Sequence, residues 1–114
     1  MARNRASAKK AGTSWESEIV RALIDHGWPH AERRRLNGQR DRGDIAGIPG
    51  VVIEAKDTAA LRLAEAITEA NVEALNANAP IGVAWLKRKG KASPLDGYVC
   101  MSGDTFLRLL EEIR

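Results

Sequence analysis

Asp44, Glu54 and Lys56 are the residues of this chain whose types and spacing best suit catalysis. Glu54 and Lys56 lie two apart in Val51-Val-Ile-Glu-Ala-Lys56, a β-branched, mostly apolar run that predicts a central strand. Residues two apart in a strand project from the same face. A carboxylate and an ammonium therefore share one side of the strand's end. Asp44 stands in a short predicted strand from Gly43 to Ala46. Gly47-Ile-Pro-Gly50 is turn chemistry between the two runs, so they are expected to form a hairpin that returns Asp44 towards Glu54. Two carboxylates with the Ala55 carbonyl would make an all-oxygen site, which suits Mg²⁺, with Mn²⁺ as a substitute, better than Zn²⁺. Such a cation neutralises charge on a phosphodiester and lowers the pKa of a bound water. Lys56 would orient that water or stabilise the pentacovalent phosphorus. The plain alternative is a strand-end Glu–Lys pair with an Asp near a turn. Glu-x-Lys alone carries almost no signal; Asp followed by Glu-x-Lys across strand, turn and strand carries more.

The elements that must position these residues begin with a helix from Thr13 or Ser14 to about His26, stopped by Gly27. Residues 1–12 show no apolar periodicity and read as a flexible, disordered basic arm, leaving 13–114 as a single domain. At about 100° per residue, Trp15, Ile19, Val20, Ala22 and Leu23 define an apolar arc on the first helix, with Glu16 near its middle. Glu18 falls on the opposite side, beside Arg21 and Asp25. An inward carboxylate is costly unless something pairs with it. A metal site or a catalytic lysine would supply the partner. So would a local capping box, Thr13-Ser-Trp-Glu16, with Glu16 reaching back to the Thr13 amide.

A first strand is expected over His30–Leu36, then an Asn37-Gly38 turn and a polar stretch to Arg42. Beyond the hairpin come an alanine-rich helix from Leu61 to Ala77, a strand Ile81–Leu86, a basic loop over 87–97 and a strand Tyr98–Ser102. A last helix opens at Asp104 or Thr105, with Phe106, Leu109, Leu110 and Ile113 on one face. The order α-β-β-β-α-β-β-α predicts an α/β domain with a mixed central sheet flanked by helices. Glu65, Glu69 and Glu73 recur every fourth residue and read as an exposed acidic face. Trp15, Trp28 and Trp85 read as core or dimer packing.

Composition sets the outer limits. The 114 residues fit one domain, with 44% hydrophobic and 29% charged residues in an ordinary globular balance. No apolar run approaches the roughly 20 residues of a membrane span, and the N-terminus has no secretory apolar stretch. Cys100 is the sole cysteine, which excludes an internal disulfide or a cysteine zinc cage; it reads as a core thiol in a reducing, cytoplasmic setting. Net charge is only +3, but 13 of the 18 Lys and Arg residues fall in three segments. These are Arg3, Arg5, Lys9 and Lys10; then Arg33, Arg34, Arg35, Arg40 and Arg42; then Lys87, Arg88, Lys89 and Lys91. Such clustering is the footprint of a phosphate-backbone binder, against the plainer reading of solvated surface charge.

Gly12-x-x-x-Glu16-x-Glu-Ile-Val, His26-Gly-Trp28, Gly43-Asp44-Ile and Ile53-Glu-Ala-Lys56 together resemble the PD-(D/E)xK nuclease superfamily. The chain looks most like the small Holliday junction resolvase branch of archaea and phages, over roughly residues 12–102. The resemblance implies a restriction-endonuclease-like core and a Mg²⁺-dependent endonuclease of DNA recombination and repair. It implies metal ligation by Asp44, Glu54 and the Ala55 carbonyl, assistance from Glu16, and catalysis by Lys56. It also implies a homodimer that nicks two strands symmetrically across a four-way junction. Gly43 departs from the pattern, standing where a proline can precede the aspartate. Arg35 occupies a place where related chains carry a basic residue near the scissile phosphate. The DNA contacts expected are Arg33, Arg35, Arg40, Arg42, Lys87, Arg88, Lys89 and Lys91. Two other readings remain: a flap or nicking nuclease of the same superfamily, and a nucleic-acid-binding module without activity.

Overall fold

A computed structural model describes residues 4–34 and 42–114. Its elements are α1 (Arg5–Asp25), β1 (Glu32–Arg33), β2 (Ile45–Ala46), β3 (Val51–Lys56), α2 (Leu63–Asn76), β4 (Ile81–Leu86), β5 (Tyr98–Cys100) and α3 (Gly103–Glu112), with a 3-10 turn at Pro94–Asp96. The five strands form one mixed sheet in the order β1-β2-β3-β4-β5, so β3 is central. β3 and β4 are parallel and joined through α2; the other neighbours are antiparallel. The fold is therefore α/β with three helices, in the order the sequence predicts. No helix among the described residues is long and apolar enough to cross a membrane.

The first helix differs from expectation at its start. Of the arm expected over 1–12, residues 1–3 lie outside the described residues and 5–12 are helical: α1 begins at Arg5, capped by the Asn4 side chain, which accepts a hydrogen bond from the Ser7 amide at 2.8 Å. Ala6, Ala8 and Ala11 are strong helix formers, and an Asn cap satisfies a free amide, so this turn needs no apolar face to form. Over residues 5–12 the missing periodicity reflects exposure.

The two faces of β3 divide the core by alternation. Ile53, with partly buried Val51 and Ala55, packs under α1 against Trp15, Ile19, Ile45, Ile81 and Val83. The Trp15 ring nitrogen donates to the Trp85 carbonyl at 2.9 Å, which fixes α1 across the sheet. Val52, Glu54 and Lys56 occupy the alternate positions. On α2, Ala66, Ala70 and Ala74 are buried at four-residue spacing, and Gly82 of β4 lies directly beneath. A Cβ on Gly82 would stand 2.5 Å from the Ala70 carbonyl oxygen and 3.0 Å from the Ala74 methyl. Small residues on both sides thus draw α2 onto the sheet. Gly82→Ala is expected to cost about 1–3 kcal/mol by forcing helix and strand apart; urea unfolding of the two proteins measures it.

The last helix carries its apolar stripe differently from a core helix. Leu109 packs on the main core, whereas Phe106, Leu110 and Ile113 remain 48%, 40% and 71% exposed. Thr105 is the buried residue of α3, bonded to Asn71 of α2 and to the Ser102 cap.

Candidate active site

The hairpin brings Asp44 to β3 through backbone bonds. The Asp44 amide donates to the Ile53 carbonyl at 3.0 Å, and the Asp44 carbonyl accepts from the Arg34 amide at 2.7 Å. Gly43, just before it, has φ +97°, and a Cβ there would meet Val52 Cγ1 at 2.7 Å. Proline fixes φ near −65°, so this turn takes glycine and would exclude proline. The Asp44 carboxylate then reaches along β3 and accepts the Ala55 amide at 2.8 Å.

That bond also orients the Ala55 carbonyl. Lys56 gives its carbonyl to the Lys87 amide, on the β4 side. Carbonyls alternate along a strand, and Ile53 already turns its own to Asp44. Ala55, two residues on, therefore directs its carbonyl to the Asp44 side as well.

Glu54 is only 7% exposed, and its Oε2 is buried with no hydrogen-bond partner. Its Oε1 lies 3.5 Å from Lys56 Nζ. Burial first, then the charge of Glu54, pushes the Asp44 carboxyl up from 3.8 to about 7, against the Ala55 amide that pulls it down. The charge of Glu16 pushes it the same way. The two carboxylates thus stand against each other, and the nearby Lys56 ammonium, 3.5 Å from Glu54 Oε1, is shared with Glu69.

Glu16 comes to this pair from α1. Its side chain accepts from Arg33 Nε at 3.0 Å, which ties α1 to β1. The capping-box reading does not hold, because Thr13 lies inside α1 and its carbonyl accepts from Ser17 Oγ. Glu18 faces outward and pairs with Arg21.

Lys56 sits between two carboxylates, 2.8 Å from Glu69 Oε2 and 3.5 Å from Glu54 Oε1. Burial pulls its ammonium down, but the bonds and charges of Glu69 and Glu54 outweigh that and raise it above its ordinary value. It is a fixed cation at neutral pH, suited to orienting an oxygen or stabilising negative charge and unsuited to accepting a proton.

The exposed acidic face expected on α2 is only partly so. Glu73 is 4% exposed, and Glu54, Glu69 and Glu73 bring ligand atoms within 4.8 Å of one another. The sequence does carry the signal: Glu73 lies three residues after Ala70 and seven after Ala66, on the buried arc. A four-residue acidic repeat masked it.

Of the basic residues expected to contact DNA, Arg35 and Arg40 lie outside the described residues. Arg33 is engaged by Glu16, Arg42 is half-buried, and Lys87 pairs with Asp57 at 3.7 Å. Arg88, Lys89 and Lys91 are exposed on the loop after β4. Trp15 is core, whereas Trp28 is 45% exposed. No known protein family, characterised protein or solved structure matches this chain.

Proposed function

We propose that this chain is a metal-dependent, structure-selective DNA endonuclease that resolves four-way junctions by paired symmetric nicks. The observation that carries the reading is the buried Glu54 Oε2 without a donor, beside an Asp44 whose carboxyl burial and neighbouring acids hold near 7. Buried carboxylates of this kind need a cation. Asp44, Glu54 and the Ala55 carbonyl fit a hard divalent ion, Mg²⁺ or Mn²⁺, with Glu16 in support through its charge. When bound, the ion would polarise the phosphodiester and acidify a water. Lys56 would orient the attacking water and stabilise the charge that grows on phosphorus. Glu69 holds Lys56 charged, and Arg33 holds Glu16 in place.

The helix, three-strand, helix, strand order is what a restriction-endonuclease-like core requires. The exposed cations Arg88, Lys89 and Lys91, with Arg33, Arg42 and Lys87 nearer the site and Arg35 and Arg40 in the intervening segment, would take DNA phosphates. Affinity would then fall steeply with salt as counterions are released. Two symmetric cuts require two sites, so the acting species is a homodimer. The exposed stripe of Phe106, Leu110 and Ile113 supplies an apolar surface for it.

One observation favours a second placement of the same cation: the Glu54, Glu69 and Glu73 cluster on the α2 side. Asp44→Asn and Glu73→Gln separate the placements, because only the variant that removes a ligand weakens Mn²⁺ binding.

The test is cleavage of a labelled four-way junction with Mg²⁺, beside a flap and a nicked duplex. Paired symmetric products from the junction are expected. Preferential flap cutting would replace junction resolution with a flap nuclease. Junction binding without cleavage under Mg²⁺ or Mn²⁺ would leave a non-catalytic binding module.

A further inference from the structure

The half of α1 ahead of Gly12 takes no part in the site described above. At about 100° per residue, Arg5, Ala8, Lys9, Gly12 and Glu16 fall within one face of α1, and Lys10 falls well to the side. One end of that face is Glu16, whose charge reaches Asp44; the other end is Arg5. Between them, Ala8 and Gly12 line an open cavity of about 400 Å³. Its opposite wall is the end of β3 and the segment after it, Ala55, Lys56, Asp57, Thr58 and Ala59.

Three features decide what this cavity takes. Its volume is within the range of small-molecule and cofactor pockets, about 300–1,000 Å³. Its walls are mostly small side chains, and a Cβ added to Gly12 would meet nothing within 4 Å, so the space is open rather than filled by packing. Its own charges are paired, Lys56 with Glu69 and Glu54 and Asp57 with Lys87 at 3.7 Å, while exposed Arg5 and Lys9 continue the same helix face outward as a cationic margin. Lys9 and Arg5 are about 6 Å apart in helix rise, and phosphates on one duplex strand advance about 3.4 Å each. The two cations therefore serve different phosphates of one strand.

We propose that this face of α1 is a track for the DNA strand leading away from the cleaved phosphate, with one sugar–phosphate unit in the cavity between Gly12 and Thr58 and the phosphates beyond it on Lys9 and Arg5. The proposal rests on the nuclease reading and adds to it a binding surface and a direction for the strand. Glu16 and Gly12, one turn apart, join the track to the acidic pair.

The experiment measures binding of a labelled DNA junction by the full chain across a salt series, with Mg²⁺-dependent cleavage measured in parallel. Each lost phosphate contact lowers the slope of log affinity against log salt by about 0.9. Arg5→Ala with Lys9→Ala should lower the slope by roughly 2, and Lys10→Ala should leave it unchanged. Gly12→Leu, which fills the cavity with a better helix former, should raise the KM for cleavage about tenfold without lowering thermal stability. An unchanged slope in the double variant, an equal loss from Lys10→Ala, or an unaltered KM in Gly12→Leu overturns the track. A wild-type chain that binds but never cuts overturns the nuclease reading instead, and the slopes still decide the track. A wild-type chain that binds no DNA overturns both.

Discussion

Glu54→Gln is expected to lower Mg²⁺-dependent cleavage at least about 10²–10³-fold, a loss of about 3–4 kcal/mol of transition-state stabilisation, while making the metal-free protein more stable. The two effects have opposite signs for one reason. Glu54 is 7% exposed, and its Oε2 receives no hydrogen bond. In the metal-free protein that charge is a burden, set against Asp44, Glu69 and Glu73. Glutamine keeps the shape and leaves Lys56 its partner Glu69 at 2.8 Å, but removes the negative charge. Cation binding loses a ligand by the same change. Junction cleavage and thermal melting in chelator are read side by side. Full cleavage by the variant would remove Glu54 from the chemistry. Lost cleavage together with a lowered melting temperature would make Glu54 a structural residue.

The second large effect is on stability against pH. The Asp44 carboxyl is raised from 3.8 to about 7, so the folded chain holds a proton that the unfolded chain has released across this interval. A raised carboxyl contributes its stability in full below about pH 4. That contribution is lost as pH rises through about 7. The interval from 3.8 to about 7 sets an upper bound of about 4 kcal/mol on the loss, at about 1.4 kcal/mol per pH unit. Asp44→Asn is therefore expected to raise the melting temperature at pH 8 and to change it little at pH 4. In wild type, Mg²⁺ should stabilise at pH 8 and progressively less below pH 7, where it competes with that proton. A wild-type melting temperature that rises from pH 5 to pH 8 in chelator, or an Asp44→Asn effect equal at both ends, would contradict the assignment.

Much of this was legible from periodicity. β3 and β4 match the runs Val51–Lys56 and Ile81–Leu86 to the residue, because β-branched and apolar runs bounded by turn residues leave few alternatives. The hairpin that returns Asp44 to β3 follows from Gly47-Ile-Pro-Gly50, and the observed register sets Ile45 opposite Ile53. Two features depart from expectation for local reasons. The start of α1 was hidden because exposed alanines and lysines form helix without an apolar stripe. Glu73 was hidden because an acidic repeat looks like a solvated face even when one member shares the arc of Ala66 and Ala70.

The sequence by itself determined which carboxylates and which lysine share a hairpin, since strand alternation and turn chemistry are local. It also determined that Glu16 looks inward, since helical phase is local. Only the tertiary structure decided what those groups meet. The approach of α2 over Gly82 placed Glu69 and Glu73 against Glu54 and Lys56, and the crossing of α1 brought the charge of Glu16 to Asp44. Burial and long-range charge depend on elements far apart in the chain. They are what hold the Asp44 carboxyl near 7 and leave Glu54 Oε2 buried without a hydrogen bond.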